Sequence, residues 1–104
     1  REFNYVKDVV DGFMAAAQTE AAIGEVINLG NGQEISIKDL IMKIAELTGT
    51  KSKIEIGALP YRPTEIWRMC VDYSKAKKIL GCSTKTSFED ALQKTIDWYK
   101  EYIR

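Results

Sequence analysis

The sequence Tyr-Arg-Pro-Thr-Glu, at residues 61–65, is the stretch that most constrains the fold. A β-rich run at residues 53–57 precedes it and a helix start at residues 72–77 follows it. We therefore expect a loop along the rim of an α/β fold, where binding residues concentrate. Pro63 fixes its own φ and pushes Arg62 toward an extended conformation. The Arg62 guanidinium would then stand on a stiffened backbone, well suited to a phosphate or a carboxylate.

Glu65 adds a hydrogen-bond acceptor three residues after Arg62. Its carboxylate can accept from two hydroxyl groups, such as those of a ribose diol. One side chain for a phosphate and one for a sugar would form half of a nucleotide site. The alternative is a surface salt bridge between Arg62 and Glu65, and the spacing by itself leaves both interpretations open.

The other patterns predict alternating strands and helices, which is typical of an α/β fold. Strands are expected at residues 3–6, 25–29 and 53–57. Apolar periodicity predicts helices at about residues 7–18, 37–48, 75–80 and 88–102. Ser36, Ser74 and Ser87 are the expected N-caps of the last three helices, and Gly49 is the expected C-terminal stop of the second.

Composition limits the class of function. Fifteen Lys and Arg residues balance fifteen Asp and Glu residues, so nothing favours a nucleic acid or an anionic membrane as partner. The chain has no His, and Cys70 and Cys82 lack metal-ligand spacing, so we expect no metal site. Two unpatterned cysteines favour reduced thiols in a cytoplasmic protein, although a disulfide between them stays open. The Gly-rich turn at residues 30–32 resembles a phosphate cradle, but Glu34 would repel the anion.

Six motifs together resemble extended short-chain dehydrogenases/reductases that act on nucleotide sugars. Residues 1–10 resemble their "R-D-F-x-Y-V-x-D-V-V" segment, with Glu2 where the family usually has Asp. Further matches follow in the family's order. They are residues 24–30 (G-E-x-x-N-L-G), 36–40 (a helix start), 62–65 (R-P-x-D/E), 72–81 (D-x-S-K-A-x-x-x-L-G) and 87–99 (the closing helix). The resemblance covers nearly all of the chain.

This resemblance implies a fold, a function and a set of site residues. The chain, residues 1–104, would be the C-terminal substrate-binding domain, a small mixed sheet with flanking helices. The dinucleotide-binding domain, which binds NAD or NADP, and the catalytic Tyr-x-x-x-Lys pair lie earlier in such enzymes. We therefore expect no catalytic residue and no bound cofactor in this chain, and no activity from it alone. The substrate would be a nucleotide sugar, with Arg1 and Arg62 on the diphosphate and Glu65 on the ribose, in an epimerase or a 4,6-dehydratase.

Two further expectations concern partners. A non-enzymatic interaction module is the rival hypothesis, and it allows Arg1, Arg62 and Glu65 to be scattered, whereas a nucleotide site should bring them to one cleft. Either way, the first predicted helix carries an apolar stripe that a separate 104-residue chain would leave uncovered. We therefore expect a homo-oligomer, formed through a two-fold interface or by swapping the first strand and helix.

Overall fold

A computed structural model describes residues 1–103, and in that range it contains four α-helices and one short 3-10 helix. Helix α1 covers Val6–Gln18, α2 covers Ile37–Thr48, α3 covers Ser74–Leu80 and α4 covers Phe88–Tyr102. The 3-10 helix, Glu20–Ala22, follows α1 directly. Helix α1 packs against α3, and α2 packs against α4. No helix among these residues combines the length and apolar character that a membrane span requires.

The predicted caps explain where two of the helices begin. The Ser36 hydroxyl accepts a hydrogen bond from the Asp39 amide at 3.0 Å, and the Ser87 hydroxyl accepts one from the Asp90 amide at 3.2 Å. Each bond satisfies an N–H that has no partner inside its helix. Gly49 ends α2 in the left-handed conformation, with φ of 62°. These three assignments are confirmed.

The predicted cap of α3 is wrong. Ser74 is the first residue of the helix, and Tyr73 occupies the N-cap position without a side-chain bond to the helix. The Asp72 carboxylate instead accepts a hydrogen bond from the Ser74 amide at 2.9 Å. An aspartate two residues before a backbone amide can form this local turn as readily as a serine caps a helix. The acidic side chain therefore takes over the role assigned to Ser74.

The predicted sheet is not confirmed, because residues 1–103 contain no β-strand. Residues 25–29 and 53–57 lie outside any ladder, and α1 already begins at Val6. One isolated antiparallel bridge joins Glu2 to Glu34. A strand is stabilised by hydrogen bonds to a neighbouring strand, and the described residues do not supply that neighbour. Strand-like sequence is therefore present here without a sheet.

The hydrophobic core is small. Ala76 and Ile96 are the buried apolar side chains among the described residues, with exposed fractions of 2% and 8%. The radius of gyration is 16.7 Å, compared with about 13 Å for a compact domain of 100 residues. On α1, Val10, Phe13 and Met14 are exposed by 49%, 67% and 54%. The predicted uncovered apolar stripe on the first helix is therefore present.

We predict that the 104-residue chain self-associates at micromolar concentration. Contiguous apolar surface of this kind is uncommon on monomers, and either a two-fold interface or a swap of the first segment with α1 would cover it. Sedimentation velocity is the measurement. Phe13→Glu should shift the chain toward monomer, whereas Ile23→Glu, in the segment after the 3-10 helix, is the matched control. A strictly monomeric wild-type chain would contradict the prediction.

Candidate functional site

Three segments that are distant in sequence meet at one place, namely residues 1–4, 31–35 and 65–71. Backbone hydrogen bonds join Arg1 to Ile35 in both directions, at 2.8 Å and 3.0 Å. Side-chain bonds from the first segment then reach the third. This junction, which we call the three-segment junction, contains two of the predicted site residues.

The Glu2 carboxylate links all three segments. It accepts hydrogen bonds from the backbone amides of Asn31 and Val71, each at 2.7 Å, and from the Asn4 side chain at 3.0 Å. Partial burial raises the pKa of Glu2, but the bonds from Val71, Asn31 and Asn4 outweigh it and hold the pKa below its usual value. A Cβ at Gly30 would collide with this carboxylate and with Val71. The segment around Gly30 therefore needs glycine to approach Glu2.

The sequence did not predict that Glu2 links the three segments. It shows Glu2 only as a departure from the usual Asp in the R-D-F segment. The signal available was an acidic residue directly after Arg1 in the R-D-F segment. The carboxylate of a Glu side chain and that of the shorter Asp side chain can each accept several backbone N–H hydrogen bonds. Glu2 and the usual Asp therefore carry the same acceptor group.

We predict that Glu2→Gln lowers the free energy of unfolding by about 1–3 kcal/mol at pH 7, because it removes charge-assisted hydrogen bonds. The folded pKa of Glu2 lies below its ordinary value of 4.5. The stabilisation is therefore present above about pH 4.5 and is lost as the pH falls through the folded pKa. Urea unfolding of wild type and E2Q at several pH values should show the difference shrinking in acid.

The matched control for this measurement is Glu101→Gln, at the exposed end of α4. Surface substitutions of this kind change stability by about 0.5 kcal/mol or less. A difference between wild type and E2Q that stays constant from pH 7 to below pH 4 would show that the Glu2 charge does not stabilise the junction.

Arg1 and Glu65 meet at the three-segment junction. The Arg1 Nη2 atom donates to Glu65 Oε1 at 2.6 Å, and Nη1 donates to the Ile66 carbonyl oxygen. Both side chains are partly buried, with exposed fractions of 29% and 25%. A guanidinium has five N–H donors, and these contacts use two of them. The ion pair therefore fixes Glu65 while Arg1 keeps donors for another acceptor.

Arg62 begins the turn that ends at Glu65. The Glu65 amide donates to the Arg62 carbonyl oxygen at 3.1 Å, which closes a four-residue turn. The Arg62 side chain is exposed, and it makes no hydrogen bond or ion pair within residues 1–103. The alternative salt bridge between Arg62 and Glu65 therefore does not form. Glu65 pairs with Arg1 instead.

Arg68 forms a second ion pair beside the junction. Its Nε atom donates to both carboxylate oxygens of Glu34, at 3.2 Å and 3.0 Å, and its Nη2 atom donates to Oε2. These bonds lower the pKa of Glu34. The Arg68 side chain is 83% exposed, so the pair adds little stability. Glu34 occupies the Nε and Nη2 donors of Arg68, whereas the Arg62 guanidinium keeps its donors free among the described residues, so Arg62 is the stronger anion-binding candidate of the two.

The Gly-rich turn at residues 30–32 does not fit a dinucleotide phosphate. A phosphate cradle needs backbone N–H groups directed at the anion, and the Asn31 amide already donates to the Glu2 carboxylate. The Gln33 amide donates to the Asn31 side chain at 2.7 Å. The backbones of Glu2 and Glu34 form an isolated antiparallel bridge beside this turn, and the negative Glu2 carboxylate lies against Gly30. A further anion there would meet like charge.

One Tyr-x-x-x-Lys spacing does occur in the chain, at Tyr73 and Lys77. Tyr73 is the N-cap of α3, and its ring lies so close to Gly32 that a Cβ there would be 2.7 Å from Cε1. Lys77 is exposed in the last turn of the same helix. Both residues follow the R-P-x-E motif, whereas the resemblance implies a catalytic pair that precedes the R-D-F segment. The pair Tyr73 and Lys77 therefore does not stand at the position that the resemblance implies for the catalytic pair.

Comparison with known proteins places the chain in a family. A family model described as GDP-mannose 4,6 dehydratase matches residues 1–95. The chain belongs to this family. Relatives of the chain include the UDP-glucuronate 4-epimerase of Thermodesulfobacterium geofontis, which is 36% identical over 99% of the chain. The UDP-N-acetyl-alpha-D-glucosaminuronate decarboxylase of Bacillus cytotoxicus is 34% identical over 97% of the chain. The chain spans 31% and 32% of these two relatives.

Solved structures of similar proteins share the fold of the chain. An epimerase from Methanothermobacter thermautotrophicus superposes with a TM-score of 0.83 at 33% identity, over 97% of this chain and 30% of that one. The Bordetella bronchiseptica enzyme WbmF, solved in complex with NAD+ and UDP, superposes with a TM-score of 0.75 at 38% identity. That match covers 96% of this chain and 29% of WbmF.

Proposed function

We propose that residues 1–104 form the C-terminal substrate-binding domain of a longer, cytoplasmic NAD(P)-dependent nucleotide-sugar epimerase or 4,6-dehydratase. In this proposal the dinucleotide-binding domain precedes residue 1 and binds the cofactor. The chain presented here binds the nucleoside diphosphate portion of the substrate. The share of about 30% that the chain covers in its relatives supports this division.

The observation that carries the proposal is the ion pair between Arg1 and Glu65, with Arg62 three residues before Glu65 on the same turn. Two predicted ligand residues meet across 64 positions of sequence. A nucleotide site requires these residues to meet, whereas the interaction-module hypothesis allows them to be scattered. The Arg62 side chain is exposed, and Arg62 lies three residues before Glu65 in the sequence.

Each side chain has a separate role in the proposed site. Arg62 binds the diphosphate, because its guanidinium is exposed and offers a planar pair of donors to phosphate oxygens. Arg1 adds positive charge toward the same diphosphate and holds Glu65 through its Nη2 atom. Glu65 then presents its remaining acceptor positions to the ribose hydroxyls. The arrangement recognises the nucleotide and leaves the sugar to residues outside this chain.

The experiment is calorimetric titration of the full-length enzyme with UDP, GDP and uridine. The proposal expects measurable binding of both diphosphates and much weaker binding of uridine, which lacks the phosphates that Arg62 and Arg1 contact. Equal affinity for uridine and UDP would exclude a diphosphate site. A lack of binding by all three ligands would favour the interaction-module alternative.

A further inference from the structure

Two aromatic side chains flank the proposed nucleotide site on the same loop. Tyr61 directly precedes Arg62, and Trp67 follows Glu65 by two residues. Their rings contact each other edge to face, with centroids 4.5 Å apart and planes at 61°. The contact closes a seven-residue loop that has the Arg62–Glu65 turn at its tip. The Tyr61–Trp67 pair therefore stands at the base of the loop whose turn carries Arg62 and Glu65.

Both rings keep a large exposed surface. Tyr61 is 76% exposed and Trp67 is 67% exposed. An edge-to-face contact covers only one face of one ring, so flat aromatic surface remains open to solvent. An exposed apolar patch that polar residues surround marks an interaction site or a ligand-binding groove. Loop closure alone does not account for the exposed faces.

We propose that the Tyr61–Trp67 pair, with Trp67 as its larger ring, is the platform on which the base of the nucleotide stacks. This inference rests on the proposed function. It assigns a binding surface to the base, the third part of the ligand. A nucleoside diphosphate consists of diphosphate, ribose and base in that order. The loop supplies a guanidinium, a carboxylate and an aromatic face within residues 61–67. Arg1 anchors the backbone next to Trp67 through the Ile66 carbonyl oxygen.

Stacking also determines the expected selectivity. Every base has a π-face, so aromatic stacking binds different bases with little preference. The loop from Tyr61 to Trp67 offers no Asn or Gln side chain, the residues best suited to the hydrogen-bonding edge of a base. The Tyr61–Trp67 platform therefore contributes affinity for uracil and guanine alike, and discrimination between them lies elsewhere in the enzyme.

The test uses the full-length enzyme and compares UDP and GDP with inorganic pyrophosphate, which has no base. Trp67→Ala should weaken binding of UDP and GDP by about 5- to 150-fold and leave pyrophosphate affinity unchanged. Trp67→Phe keeps an aromatic face and should retain most of the affinity. Trp98→Ala, which removes a 51% exposed tryptophan from α4, is the matched control. It should change neither the affinity for UDP and GDP nor the affinity for pyrophosphate.

The outcomes separate this inference from the proposed function. Equal losses for UDP and pyrophosphate in Trp67→Ala would show that Trp67 only shapes the loop, and would overturn the platform. Unchanged UDP affinity in Trp67→Ala would also overturn it, while a loss in Arg62→Ala would leave the diphosphate site standing. Absence of UDP binding by the wild-type enzyme would overturn both.

Discussion

Arg62→Ala is expected to weaken binding of UDP and GDP to the full-length enzyme by about 10- to 150-fold. The substitution removes a charge-assisted and often bidentate contact to phosphate. Such a contact contributes about 1.5–3 kcal/mol, which corresponds to that range of affinity. Because the Arg62 side chain is exposed and makes no hydrogen bond or ion pair within residues 1–103, its loss should leave stability nearly unchanged. Calorimetric titration with each diphosphate is the measurement.

Arg62→Lys separates charge from geometry. Lysine keeps the positive charge but lacks the planar fork, so it should restore only part of the affinity. Lys51→Ala is the control for a general loss of positive charge, since Lys51 is an exposed lysine in the segment after α2. Nucleotide affinity that is the same in wild type and Arg62→Ala would make Arg62 a solvated surface charge.

The 104-residue chain by itself is expected to show no epimerase or dehydratase turnover. The Gly-rich turn at residues 30–32 has its Asn31 amide bonded to Glu2, so it does not fit a dinucleotide phosphate. The Tyr-x-x-x-Lys spacing in the chain, at Tyr73 and Lys77, lies in α3 and its N-cap, after the R-P-x-E motif, and not before the R-D-F segment as the resemblance implies. Incubation of the purified chain with NAD and several nucleotide sugars, followed by product chromatography, is the measurement. The full-length enzyme is the positive control.

A second variant tests the reason for this inactivity. In the full-length enzyme, Tyr73→Phe should retain turnover, because the Tyr73 ring packs near Gly32 and its hydroxyl has no catalytic role in our proposal. Loss of turnover in Tyr73→Phe with an unchanged melting temperature would identify Tyr73 as catalytic. Enzyme-like turnover by the 104-residue chain would show that it holds a complete active site.

The helices were predictable from local sequence. Each depends on residues within one or two turns of one another, as with Ser36 and the Asp39 amide at the start of α2 and Gly49 at its end. Apolar periodicity defines a helix face regardless of what packs on it. The motif order also indicated the family, which the match over residues 1–95 confirms. The prediction of Ser74 as the N-cap of α3 was wrong because Asp72 and Ser74, which are two residues apart, both suit the same turn.

Only the tertiary structure decided which distant residues meet. Glu2 accepts from the Val71 amide across 69 positions, and Arg1 pairs with Glu65 across 64. Sequence spacing suggested Arg62 as the partner of Glu65, but the closed turn puts their backbones together and leaves the guanidinium exposed. The predicted strands failed for the same physical reason. A helix satisfies its backbone hydrogen bonds within its own segment, whereas a strand or an ion pair depends on a partner brought close by the fold of the whole chain.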